Sequence, residues 1–145
     1  MYLEDLDPKG RFLKSMTTGW LNFFKKLDRS VYKEARFEIS DTTVADHVGY
    51  PVPVLESGHA IDISVVMKLV PTSGLELVFK RNTVRIGSIW VPANTTAYTV
   101  VTQGTFEAKN LQLKENDVLT MQITQSDGTI NAGGVAVATL RWIAE

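Results

Sequence analysis

The fold class is decided by the stretch Asp117-Val-Leu-Thr-Met-Gln-Ile-Thr-Gln125, together with Gly133-Gly-Val-Ala-Val-Ala-Thr-Leu-Arg-Trp142. In both runs apolar and polar residues alternate, which is the pattern of a β-strand with one buried face. The residues Ser126-Asp-Gly128 between them are typical of a turn. The two runs therefore predict a pair of antiparallel strands.

Similar short runs precede this pair at intervals of roughly ten residues, as in β-sandwiches. The predicted strands cover residues 35–40, 61–69, 75–80, 83–91, 97–102, 105–108, 111–113, 118–124 and 135–143. Arg81-Asn82 predicts a tight turn, and Gly87 predicts a bulge. We therefore predict an all-β domain, an antiparallel jelly-roll-like β-sandwich of about eight strands.

Residues 9–34 follow a helical period instead. Apolar residues recur at spacings of three or four, opposite a face rich in lysine and arginine. This pattern predicts an N-terminal amphipathic helix, although Gly19 leaves open a break into two shorter helices or a start near Thr18. The apolar stripe consists of Phe12, Met16, Trp20, Phe23, Phe24, Leu27 and Val31.

Residues 41–58 contain two prolines and two glycines and predict an extended arm or long loop. Pro51 and Pro53 lack the N–H of a sheet ladder, so any strand here would lie at a sheet edge. The chain is accordingly divided into an N-terminal helix and arm, residues 1–58, and a sandwich domain, residues 59–145. The two prolines and the aromatic stripe, apart from Val31, are the predicted partner-binding residues.

The composition narrows the class of protein. The chain has 145 residues, of which 44% are hydrophobic and 21% charged, with a net charge of −1 and no cysteine. A single soluble domain of this size buries a core without disulfides, and thiolate metal sites are excluded. The charge balance predicts no nucleic-acid binding, and the short apolar runs predict no membrane segment. Residues 1–7 lack the pattern of a secretory signal, so we expect folding in a cytoplasm.

No residue pattern predicts a reaction. His47 and His59 lie in or beside the arm, without a nucleophile motif near them. A metal site with Asp46 and Asp62 is disfavoured, because residues three apart on a strand point to opposite faces. We therefore predict no catalytic residue, no metal and no cofactor, with a hydrolase of unrecognised type as an alternative. The sequence gives no reason to pair any of the carboxylates Glu76, Glu107, Glu115 and Asp117.

Two aromatic features have more than one interpretation. The stripe of the predicted helix could pack on its own sandwich, dock on a partner subunit, or bind a membrane or nucleic acid. Trp90 and Trp142 lie in predicted strands, where aromatic rings either fill a core or interface or stack against sugars.

The ending Leu111-x-Leu-Lys-Glu-Asn-Asp-Val-Leu-Thr-Met-Gln-Ile-Thr-Gln, continued by Ala132-Gly-Gly-Val-Ala-Val-Ala-Thr-Leu-Arg-Trp, resembles the closing strands of jelly-roll modules on phage virions. The resemblance is to capsid decoration (cement) and head-fibre proteins of tailed bacteriophages, and it covers residues 59–145. It implies a non-enzymatic structural protein, made in the host cytoplasm and located in the virion. The implied function is capsid decoration and stabilisation by binding across capsid subunits.

The same resemblance implies the partners. They are the major capsid protein or another virion subunit, and further copies of the chain in a homo-oligomer, with a homotrimer favoured. The helix and arm would then serve as a tether, since extended arms bury much area when ordered in an assembly. A fibre domain or a receptor- or glycan-binding module of a phage virion is the alternative function.

Overall fold

The computed structural model describes residues 32–40, 44–125 and 136–144. The chain divides into two compact units, Met1–Tyr32 and Lys33–Glu145, and all described strands belong to the second. The predicted helix and its aromatic stripe lie outside the described residues. The ten strands in the described ranges are β1 (Lys33–Ile39), β2 (Val52–Pro53), β3 (Gly58–Met67), β4 (Leu75–Arg81), β5 (Val84–Val91), β6 (Val100–Val101), β7 (Thr105–Phe106), β8 (Gln112–Leu113), β9 (Val118–Gln125) and β10 (Ala136–Ala144).

The strands form two antiparallel sheets. Sheet A has the order β1-β10-β3-β6, with β8 also paired to β3, and sheet B has the order β2-β9-β4-β5-β7. Each of the last two strands lies between two earlier ones, β10 between β1 and β3 and β9 between β2 and β4. The all-β antiparallel prediction is therefore confirmed. The strand number exceeds the predicted eight because four of the ten strands, β2, β6, β7 and β8, pair over only two residues.

One apolar core lies between the sheets. Alternate residues of β1 are buried, and those of β9 follow the same period, so that each strand contributes one face. Phe37 of sheet A meets Phe79 of sheet B edge to face, with ring centroids 5.7 Å apart and planes at 71°. This is the layered arrangement of a β-sandwich.

The tight turn and the bulge predicted in the sequence are both present. Asn82 and Thr83 have positive φ angles of 49° and 75°, which two-residue hairpins of this kind require. The β4–β5 register shifts by one residue, because Phe79 faces Gly87 whereas Lys80 faces Arg85. The extra residue in β5 is Ile86, directly beside Gly87, as predicted.

Residues 44–57 differ from the predicted arm, because they belong to the sandwich. Ala45 exchanges backbone hydrogen bonds of 3.2 and 3.1 Å with Ile123, and the N–H of Val48 donates to the carbonyl of Met121 at 2.8 Å. Val54 is fully buried. The prolines did not prevent this, since they remove donors only at a sheet edge, and β2 is an edge strand as expected. The sandwich thus begins at β1 rather than at residue 59.

Candidate interaction surfaces

A groove runs along one side of the sandwich, between edge strand β1 and residues 49–56. Two adjoining cavities of about 510 and 370 Å³ lie along it, and Val52 lines both. Trp142 of β10 closes the end near Lys33. We call this feature the edge groove. It follows β1 from Lys33 to Ser40, just beyond the end of the strand, and therefore has the length of an extended segment of polypeptide.

The wall formed by residues 49–56 presents apolar side chains to solvent. Tyr50 is 90% exposed and Leu55 is 78% exposed, although Val54 between them is buried. The predicted partner-binding residues Pro51 and Pro53 are both exposed on this wall. Because β2 and Val54 are bonded to β9 and to Asp117, the wall is fixed to the sandwich. Phe12, Met16, Trp20, Phe23, Phe24 and Leu27 lie outside the described residues, so their role stays a prediction.

The opposite wall is strand β1 itself. It is the end strand of sheet A, and within the described ranges no strand pairs with its outer edge. At seven residues it is much longer than the other end strands β2, β6 and β7, which have two residues each. A long open edge presents unpaired N–H and C=O groups and is a template for another strand.

Charges of both signs line the groove. Lys33 Nζ lies 3.2 Å from Glu56 Oε2, which joins the two walls at one end. On the outer face of β1, Arg36 Nε lies 3.9 Å from Glu34 Oε1. These pairs are partly or largely exposed, so each contributes little to folding stability. Their importance is that a partner entering the groove meets alternating charges along β1.

The structure separates the two candidate sugar-stacking residues. Trp142 is only 4% exposed, and its indole Nε1 donates a 2.9 Å hydrogen bond to the carbonyl of Glu56. Its ring therefore fills the core and presents no face to a ligand. Trp90 is 46% exposed and lies against Gly74, where a Cβ atom would come within 1.8 Å of the indole Cζ2.

A charged cluster lies beside Trp90 on sheet B. Glu76 is the cross-strand neighbour of Trp90, and Arg85 reaches both Glu76 at 3.8 Å and Glu107 at 2.5 Å. The sequence did not predict this pairing of carboxylates. It arises because β5 lies between β4 and β7, which brings residues distant in sequence to one guanidinium. Their observed partner is Arg85, so their role here is charge pairing.

The two histidines lie apart. His47 is in the segment bonded to β9 of sheet B, whereas His59 is in β3 of sheet A. Asp46 lies 3.5 Å from the amide nitrogen of Gln122, and Asp62 accepts a forked pair of bonds from Arg141. Asp117 accepts bonds from the Lys114 backbone and from Asn82, the turn role predicted for it. Among the described residues, no three His, Asp or Glu side chains are arranged to hold a metal ion.

No known protein family and no curated protein sequence matches the chain. In the part of the chain that the structure describes, no helix is long and apolar enough to cross a membrane.

Proposed function

We propose that the chain is a structural virion protein, which decorates and stabilises a tailed-phage capsid by binding across its subunits. The observation that carries this proposal is the strand order of the two sheets. Sheet A runs β1-β10-β3-β6 and sheet B runs β2-β9-β4-β5, so the last two strands are inserted beside the first three. This order supports a jelly roll, an architecture that recurs in viral capsid proteins and in lectins.

A fold alone does not fix a function, so the surface must supply the mechanism. The edge groove does so, because it combines a fixed apolar wall with an open strand edge. Covering Tyr50 and Leu55 with apolar side chains of a capsid subunit would remove this area from water. Extended segments of other subunits bind such edges through main-chain hydrogen bonds, while side-chain pockets provide specificity.

The N-terminal stripe would supply a second contact. Its sequence pattern fits docking on a partner subunit, and two linked contacts raise the apparent affinity far above that of either one. In a homotrimer, as the resemblance implies, three copies of both contacts would act together. One oligomer would then bridge several capsid subunits and oppose their separation.

Particle stability tests this function. Virions that lack the protein should release their genome at a lower temperature than complete virions, and added wild-type protein should restore the difference. Leu55→Asp should restore it poorly, because the substitution places a charge in the groove wall. Val84→Asp is the matched control, since Val84 is also exposed but lies at the β4–β5 hairpin. Equal stability of particles with and without the protein would refute the proposal.

Glycan binding is the second candidate function, favoured by the surface around Trp90. An indole held against Gly74 offers an apolar platform, and Glu76 and Arg85 provide hydrogen-bonding groups next to it. A glycan array probed with wild-type protein and with Trp90→Ala distinguishes this function from decoration. Binding that the substitution abolishes would support it, whereas no binding by the wild-type protein would refute it.

A further inference from the structure

We propose that two copies of this chain associate through β1, which pairs antiparallel with β1 of the second copy about a two-fold axis at Ala35. Sheet A would then continue across the dimer. This inference goes beyond the proposed function and does not depend on it, because the contact uses only features of the sandwich. It assigns the open edge of β1 to a second copy of the chain.

The first argument is the direction of the backbone groups. Gly49 lies near both the N and the O atom of Glu38, at 4.0 and 3.7 Å from the position of a Gly49 Cβ. In an antiparallel strand the N–H and C=O of one residue point to the same side. Gly49 is not part of β10, so Glu38 directs its groups to the open edge. By the alternation of the strand, Glu34 and Arg36 do the same.

The second argument is charge complementarity. A two-fold axis at Ala35 places Glu34 opposite Arg36 of the second copy, and Arg36 opposite Glu34. Both pairs are of the kind that exchanges backbone hydrogen bonds, and both join opposite charges on one face. An axis at Arg36 would instead oppose Glu34 with Glu38 and Arg36 with itself. An axis at Phe37 would require the edge at Glu38, beside which Gly49 already lies.

The third argument is the shape and polarity of the surroundings. Ala35, the residue at the axis, has a small buried side chain, so the two backbones can approach closely there. Tyr50 and Leu55, which project from the neighbouring wall, would be covered by the second copy. The contact therefore combines a polar backbone ladder with apolar flanks. Charged residues usually blunt an edge strand, but alternating signs on β1 complement a second β1.

The test measures the mass of the full chain by analytical ultracentrifugation up to millimolar concentration. We expect a reversible dimer. Glu34→Arg and Arg36→Glu should each weaken dimerisation at least about ten-fold, because by symmetry each turns two attractive pairs into repulsive ones. The double variant Glu34→Arg/Arg36→Glu restores opposite charges and should dimerise like the wild type. Glu38→Arg is the control and should leave the dimer unchanged.

Amide hydrogen exchange provides a second measurement that does not depend on mutations. The amides of Glu34 and Arg36 should exchange more slowly at high protein concentration than at low concentration, while that of Val84 should not change. Circular dichroism confirms that each variant keeps its strands. A monomer at all concentrations, a trimer, or a dimer that both single variants leave intact would overturn the proposal.

Discussion

The indole Nε1 of Trp142 donates a 2.9 Å hydrogen bond to the backbone carbonyl of Glu56. The last strand of sheet A thereby holds the segment that leads from β2 into β3. Gly58 permits this close approach, because a Cβ there would lie 2.1 Å from the Ile143 carbonyl oxygen and 2.8 Å from Trp142 Cδ1. One end of the edge groove is thus built on core contacts, which explains how exposed residues such as Leu55 keep a fixed position.

Trp142→Phe should destabilise the sandwich. The change removes the donor to Glu56 and part of a buried ring, at a cost of about 2–4 kcal/mol in the free energy of unfolding. Urea denaturation of the full chain measures this loss. Trp90→Phe is the control, because its ring is half exposed, and it should change the stability by less than about 0.5 kcal/mol. Equal effects of the two substitutions would contradict the assignment of Trp142 to the core.

Gly58→Ala should cost more than Gly49→Ala, for a different physical reason. The added methyl at position 58 would overlap backbone atoms of Ile143, which cannot move without opening the β3–β10 pair. We expect a loss of at least about 3 kcal/mol. Gly49 has a φ of 70° but only ordinary contacts around it, so Ala there should cost about 1 kcal/mol through backbone strain. Similar denaturation midpoints for both variants would show that position 58 has room.

Most of the fold follows from local pattern. The alternation in β1, β4, β5, β9 and β10 predicted these strands to within a few residues, because each has one face in the core and one outside it. The turn at Asn82 and the bulge beside Gly87 were predicted for the same reason, since backbone conformation at these points depends on residue type. In these elements local propensity and tertiary packing agree.

The edge groove could not be predicted, because it depends on contacts between distant segments. The prolines of residues 41–58 indicated a free arm, whereas the buried valines Val48, Val52 and Val54 join that segment to β9 across the sandwich. Nothing in the local sequence identifies β9 as their partner. Trp142 and Trp90 also look alike in sequence, and only the register of their strands decides that one faces the core.

Gly74→Ala should displace the indole of Trp90. A methyl at position 74 would overlap the ring at Cζ2, and we expect a cost of about 1 kcal/mol. In the Trp90→Ala background the same substitution should be neutral, because the overlapping ring is gone. A double-mutant cycle by urea denaturation measures this coupling. Additive effects of the two substitutions would show that the indole does not lie on Gly74.

Asn82 should matter through both its backbone and its side chain. Its φ is 49°, its Oδ1 accepts from the Val118 N–H at 2.8 Å, and its Nδ2 donates to Asp117 at 2.8 Å. Asn82→Ala loses the side-chain bonds and strains the turn, so we expect a loss of about 2 kcal/mol. Asn82→Gly keeps the conformation and should lose less. If the alanine and glycine variants denature together, backbone strain contributes nothing at this turn.

Trp20→Ala and Phe24→Ala should weaken assembly more than they weaken folding. If the N-terminal stripe docks on another subunit, the two rings contribute to that contact and not to the core of the sandwich. We expect the melting temperature of the isolated chain to change little, while binding to stripped capsids falls at least ten-fold for each variant. Lys14→Ala, on the predicted polar face, is the control and should leave both unchanged. A sharp fall in the melting temperature of either variant would show that the stripe packs within its own chain, and the tether would then be wrong.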